Sequence, residues 1–178
     1  MFDVVLGGEE FVDMAEKLGY STLIFASPDG EFATSSGNIK HALLITSSKK
    51  DDVVRAVARA QREKILTIVR AHDDDFNRFV VEKTAADFLL DPEHFHKTDH
   101  LHFRRSGLDQ VLCAAAAKNK KTILSSLPSN SIILGRMVQN MMLCKKYGVD
   151  YQIVSLAQHP LEMKGAHDVK ALMKTLSG

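Results

Sequence analysis

The sequence is poor in cysteine and proline. Its two cysteines, Cys113 and Cys144, are too few for a disulfide framework, and no C-x-x-C pair is present to hold a metal or carry redox chemistry. Both lie in apolar, helix-like surroundings and read as buried thiols of a reducing cytoplasm. Four prolines and no Ser/Gly-rich stretch leave no obvious linker between domains. No apolar run approaches the ~20 residues of a membrane-spanning helix. Met1-Phe2-Asp3-Val4 lacks the basic start and apolar stretch of a signal peptide. Membrane-spanning, secreted and fibrous classes are therefore not expected. Also missing are G-x-S-x-G, H-E-x-x-H and the Walker G-x-x-x-x-G-K-[ST] loop, which removes the commonest local signatures of nucleophilic, zinc-peptidase and nucleotide chemistry.

What is present fits one globular, cytoplasmic domain spanning 1–178: 178 residues, 45% of them apolar, sit within the usual size and composition of a single domain. The net charge is only +1, but it is unevenly spread. Residues 1–89 hold 11 Lys+Arg against 15 Asp+Glu, and residues 90–178 hold 12 against 7. Within 97–146, nine basic residues stand against Asp99 and Asp109 alone. Asymmetry of this kind fits a polyanionic partner. A solvated surface whose charges mix in three dimensions is the plainer alternative.

Short apolar runs alternate with amphipathic segments along the chain. Strands are expected at Val4–Leu6, Thr22–Phe25, Ala42–Ile45, Ile65–Val69, Phe88–Leu90, Thr122–Leu124 and Gln152–Val154. Between them, apolar residues recur with helical spacing, as in Phe11, Met14, Ala15 and Leu18. Residues 31–38 read as loop and 91–105 as an irregular, His-rich stretch. Ser106 is placed to cap the helix that follows. Strands that are apolar throughout are buried on both faces and pair in parallel. Seven strand–helix units with no glycine-rich phosphate fingerprint after the first strand favour an α/β, TIM-like (β/α) barrel over a doubly wound sheet.

Three stretches could carry chemistry. His94, His96, His100 and His102 fall within nine residues, and imidazole suits several transition metals. No second cluster of carboxylates is evident to complete such a site, so a polar loop and no protein-bound metal is the expectation. Asp73-Asp74-Asp75 could suggest Mg²⁺, but acids at a helix start are what the helix dipole favours. The third stretch, His102-Phe103-Arg104-Arg105-Ser106-Gly107-Leu108-Asp109-Gln110-Val111-Leu112, sets a histidine and two arginines just before a helix start. Guanidinium forks match phosphate, and free N–H groups at a helix start favour anions. Pairing of Arg105 with Asp109 is the competing reading.

At this run the sequence resembles the archaeal and eukaryotic family of ribonuclease P protein component 3. Phe103 to Leu112 looks like the family's F-R-x-S-G-L-N-x-V-L signature. Phe2-Asp3 with Ala15-Glu16-Lys17-Leu18-Gly19-Tyr20 looks like its opening strand and helix. Arg136 with Leu143-Cys144-Lys145-Lys146-Tyr147-Gly148-Val149 looks like its R…L-x-R-K-Y-G-V helix. Ser155, Ala157, Pro160, Glu162 and the run Val169–Leu172 also agree. The sequence departs at Asp109, where the family usually has Asn, and at 164–166, Lys-Gly-Ala in place of an Arg-Ser-Pro-like turn. The resemblance implies a seven-stranded barrel related to polymerase-and-histidinol-phosphatase (PHP) hydrolases. It implies a cytoplasmic, non-catalytic subunit of the endonuclease that removes 5′ leaders from precursor tRNA. The RNA is then the catalyst, Mg²⁺ serves the RNA, no cofactor is bound by the protein, and a small RRM-like protein is the partner.

On this reading Arg104, Arg105 and Arg136 contact the ribonuclease P RNA, with His102 beside them and Arg70, Lys118 and Lys121 behind. A metal-dependent PHP-type phosphoesterase is the enzymatic alternative. It needs several His and carboxylate ligands, yet the first strand reads Phe2-Asp3-Val4-Val5-Leu6 without an H-x-H pair. A barrel acting only as a protein-interaction scaffold is the third reading.

Overall fold

The computed structural model describes residues 1–30, 37–99, 101–102 and 104–178. Seven strands, β1 (Phe2–Val5), β2 (Thr22–Ser27), β3 (Ile39–Ile45), β4 (Leu66–Arg70), β5 (Phe88–Leu90), β6 (Thr122–Ser126) and β7 (Asp150–Val154), lie side by side in chain order. Every neighbouring pair is parallel. The sheet curls until its edges meet. Leu6 N–H donates to the Ala157 carbonyl at 2.8 Å, and Leu156 N–H to the Val4 carbonyl at 2.9 Å. At this seam Asp3 is fully buried, its Oδ1 accepting from Ser155 N (2.7 Å) and Val4 N (2.9 Å). Burial pushes the Asp3 carboxyl up, against those hydrogen bonds. The result is a nearly closed TIM-like (β/α) barrel, as the alternation of apolar runs implies.

The barrel interior is filled by Val4, Ile24, Ala26, Ala42, Ile68, Leu90, Leu124 and Val154. The opposite faces of the same strands meet the helices, with Leu43, Val69, Leu89 and Ile123 packed on Val53, Val57, Phe76, Val80 and Leu112. Both faces of each strand are thus out of water, which is why the runs are apolar rather than alternating. Each fully buried aliphatic side chain contributes about 1.5–3 kcal/mol.

Six α-helices are described: α1 (Val12–Lys17), α2 (Lys50–Glu63), α3 (Asp74–Lys83), α4 (Gln110–Lys118), α5 (Ser131–Tyr147) and α6 (Ala166–Ser177). Among the described residues no helix joins β2 to β3, and the other six strands are each followed by one. The expected loop at 31–38 falls largely outside the described residues. Caps explain the helix boundaries. Asp73 accepts Phe76 N at 2.8 Å to start α3, so the acidic triplet is a helix start, as read above. Asn130 accepts Ile132 N and Ile133 N, both at 3.0 Å, to start α5, and Gly148 at φ +68° ends it. The expected cap at Ser106 is corrected to Asp109, which accepts Leu112 N at 2.6 Å. Ser106 lies three residues too early, and its hydroxyl donates to the Leu108 carbonyl at 3.3 Å instead. Asn could supply the same acceptor as Asp109, so this departure from the family pattern keeps the helix start intact.

Candidate functional site

The segment between β5 and α4 crosses the C-terminal end of the barrel, where folds of this kind place their functional groups. It is pinned from beneath by α5. Arg136 is fully buried. Its Nε donates to Asp99 Oδ1 at 2.7 Å, and its Nη1 to the carbonyls of Glu93 (2.9 Å) and His96 (2.6 Å). One turn on, Asn140 donates from Nδ2 to Glu93 Oε2 at 3.2 Å and to the Ser106 carbonyl at 2.9 Å. The i, i+4 spacing puts both side chains on one helix face. Expectation and structure part company here: Arg136, read as an RNA contact, is corrected to an internal strut that holds the loop through the Asp99 carboxylate and two backbone carbonyls.

Arg104 and Arg105 stand on the outside of this braced loop. Arg104 is exposed, and its Nη1 donates to the Gly135 carbonyl at 3.2 Å. The guanidinium lies against α5 because position 135 has no side chain: a Cβ there would stand 3.3 Å from Arg104 Cζ. Arg105 is held by its backbone, its N–H donating to Asp99 Oδ1 at 2.9 Å. The same oxygen therefore serves Arg105 and the buried Arg136. Partial burial acts to raise the Asp99 carboxyl, but these hydrogen bonds and the nearby guanidinium groups hold it below the usual range. Asp109, the suspected partner of Arg105, instead caps α4 and approaches Arg78 Nη2 at 3.7 Å. Arg104 and Arg105 line a groove of about 700 Å³ together with Arg78, Lys146 and Tyr147. Asp74, Asp75 and Asp109 lie on the same rim, so the groove is mixed in charge with its cations in the majority.

The remaining candidates divide between the two ends of the barrel. Arg70, at the end of β4, pairs through Nη2 with Asp91 Oδ2 at 3.0 Å while half its side chain faces solvent (51%). His102 is exposed on the loop. These two share the end that carries Arg104 and Arg105. Lys118 is exposed at the last residue of α4, and Lys121 precedes β6, so both lie at the opposite end. Lys121 is further corrected to a structural role: its Nζ donates to the carbonyls of Thr84 (2.9 Å) and Ala86 (2.6 Å), and burial lowers its pKa.

The histidine run does not converge among the described residues. His94 Nε2 stands 4.0 Å from Glu93 Oε1, and His96 Nε2 stands 3.5 Å from Asp74 Oδ1. Phe95 lies between His72 (ring centroids 4.2 Å) and His96 (5.0 Å). His100 and Phe103, the latter part of the family-like signature, lie outside the described residues. Cys113 and Cys144 are free, buried and hydrogen-bonded to each other.

Sequence reasoning passed over Asp91, Glu93, Asp99 and Asn140. Asp91 Oδ1 accepts Ser126 N at 2.7 Å, locking the end of β5 to the end of β6. Burial, with the Asp91 carboxylate also acting to raise it, pushes Glu93 up to about 7 against hydrogen bonds from Ser125 and Asn140. The available signal was two acids directly after a barrel strand, at the end where functional groups gather.

No protein-family model matches the chain. Ribonuclease P protein component 3 of Methanococcus vannielii is 26% identical over 176 residues, covering 94% of this chain and 68% of that protein. A chain in the cryo-EM structure of archaeal ribonuclease P with mature tRNA superposes with a TM-score of 0.77 at 20% identity, over 99% of this chain and 83% of that one. An uncharacterized protein known from a crystal structure matches with a TM-score of 0.59 at 9% identity, over 99% of this chain and 59% of its own. Along nearly its whole length, then, the chain is similar to ribonuclease P protein component 3, and its barrel is a fold found in archaeal ribonuclease P.

Proposed function

We propose that this chain is a protein subunit of ribonuclease P, binding the catalytic RNA and supporting removal of the 5′ leader from precursor tRNA in the cytoplasm. The observation that carries the reading is the similarity, over 94% of this chain, to a ribonuclease P protein component 3. The site chemistry agrees with it. Arg104 and Arg105 are presented on a loop braced by Arg136, Asp99 and Asn140, so little conformational freedom is lost when they meet a phosphate backbone. Arg70 and His102 share that end of the barrel, and Arg78 and Lys146 extend the cationic rim. Structured RNA is read through shape and backbone, because side chains do not enter the deep A-form groove. The catalyst in this reading is the RNA with its Mg²⁺, and the protein partner is a small RRM-like subunit.

Reconstitution tests this. The purified chain, with an RRM-like ribonuclease P subunit, is added to the ribonuclease P RNA of the source organism, and precursor-tRNA cleavage is followed at moderate Mg²⁺. Cleavage that is stimulated only when this chain is present is the expected result. No stimulation, together with no RNA binding at low salt, overturns the reading.

A further inference from the structure

The segment leaving β5 carries chemistry that the arginines do not use. Asp91, Glu93 and His94 each offer a ligand atom, and the three atoms lie within 4.8 Å of one another. Asp91 is 3% exposed and Glu93 0%. Among the described residues Arg70 pairs with Asp91. Arg136 gives its Nε to Asp99 and its Nη1 to the Glu93 and His96 carbonyls. Glu93 Oε2 accepts from Asn140, whereas among the described residues the buried Oε1 has no hydrogen-bond partner. A carboxylate oxygen out of water and without a partner is costly unless it takes up a proton or an ion is bound to it. His94 Nε2 stands 4.0 Å from Oε1.

We propose that Asp91, Glu93 and His94 bind one divalent transition-metal ion of the Mn²⁺ or Zn²⁺ type. Two carboxylate oxygens and one imidazole nitrogen form a donor set that suits these ions better than Ca²⁺ or Mg²⁺, which prefer oxygen alone. Donors stand ~2.0–2.2 Å from such an ion, hence about 3–3.5 Å from each other. His94, with 34% of its side chain exposed, closes the gap by turning toward the buried pair. Asn140 holds the other Glu93 oxygen, Ser125 also hydrogen-bonds the Glu93 carboxyl, and Ser126 N and Arg70 hold Asp91. These are the outer hydrogen bonds that fix ligating carboxylates. The remaining coordination positions belong to water on the His94 side, the open arrangement of three protein ligands. A charged His94 would offset the same negative charge without any ion, and the experiment separates the two. The site is read on the isolated chain and stands apart from RNA binding.

The full chain without a histidine tag is stripped with chelator and dialysed against Mn²⁺ or Zn²⁺. Bound metal is then counted by electron paramagnetic resonance for Mn²⁺ and by elemental analysis for Zn²⁺. The expected result is close to one ion per chain, with affinity weakened at least ~tenfold in His94→Ala and in Glu93→Gln, and unchanged in His102→Ala. His94 and His102 are exposed, so those two variants keep the fold even if Glu93→Gln does not. The proposal is overturned by no saturable uptake of either ion, or by His94→Ala binding as tightly as the parent chain.

Discussion

Replacing Arg136 by Met separates an internal strut from a nucleic-acid contact. The wild-type guanidinium is wholly buried and makes three hydrogen bonds, of 2.7, 2.9 and 2.6 Å, to Asp99 and to the Glu93 and His96 carbonyls. Methionine approximates the volume but withdraws the guanidinium from all three acceptors, leaving Asp99 Oδ1 with the Arg105 N–H alone. Breaking a buried charged pair on one side costs about 3–5 kcal/mol. Asp99 retains 27% of its side-chain exposure, so water takes over part of its share, and the two carbonyls carry most of the loss. About 3 kcal/mol is therefore expected. A domain of this size loses ~2–4 °C of Tm per kcal/mol, so Tm falls by roughly 6–12 °C. Urea titration gives the free energy and calorimetry the Tm. The salt dependence of RNA binding, measured well below the Tm, shows whether a phosphate contact is lost. A stability loss under about 1 kcal/mol, or a slope reduced by one contact in a chain of unchanged stability, would refute the strut and return Arg136 to the RNA face.

Four further outcomes follow from the same geometry. Arg104→Ala with Arg105→Ala is expected to lower affinity across RNA sequences and to reduce the log–log salt slope by about 1.4–1.8, the equivalent of two phosphate contacts; Lys118→Ala, at the other end of the barrel, serves as the control, and a larger effect there would relocate the interface. Gly107 sits at φ +75°, and a Cβ would lie 2.1 Å from the Pro92 carbonyl oxygen, so Gly107→Ala is expected to destabilise by more than ~1 kcal/mol in urea titration. Asp109→Ala removes the α4 cap at a cost of about 1 kcal/mol, while Asp109→Asn is nearly neutral, and equal losses in both would point to the charge rather than the acceptor. For Asp3 the folded pKa lies above the unfolded one, so the protonated form favours folding at low pH and that contribution is lost as pH rises through the folded value. Asp3→Asn is accordingly expected to gain on the parent chain in Tm as pH is raised from about 4 toward neutrality; a difference that stays constant with pH would contradict the buried, raised carboxyl.

The site was legible in part. Arg104 and Arg105 are placed by a local run, His102 to Leu112, that ends in a helix start, and the structure keeps them at the surface beside that start. Asp73, Asp74 and Asp75 were read correctly as a helix start because capping depends on the next three residues alone. Ser106 was misread for the same reason in reverse: it is a good capping type, but Gly107 at φ +75° and the contact with Pro92 delay the helix to Gln110. Arg136 carries no local mark of burial. On α5 it is buried together with Ile133, Met137, Asn140, Met141 and Cys144, and its partners lie in the 93–99 segment, some 40 residues earlier.

The order of elements was determined by the sequence itself. Runs such as Ile65–Val69 and Ile123–Leu124 are apolar on both strand faces, helical spacing lies between most of them, and such strands can pair only in parallel under helices. A barrel of seven strands follows from short-range pattern, because β-branched and aliphatic residues express their burial one neighbour at a time. What tertiary structure alone decided is which polar groups meet. Closure of β1 on the 155–157 segment buries Asp3 across some 150 residues of chain. The crossing of α5 beneath the β5–α4 segment turns Arg136 and Asn140 into its supports. The antiparallel run of α4 against the strands carries Lys118 and Lys121 to the far end, away from Arg104 and Arg105. Each of these depends on long-range contact, and charge or hydropathy along the chain holds no record of the distance between side chains that folding brings together.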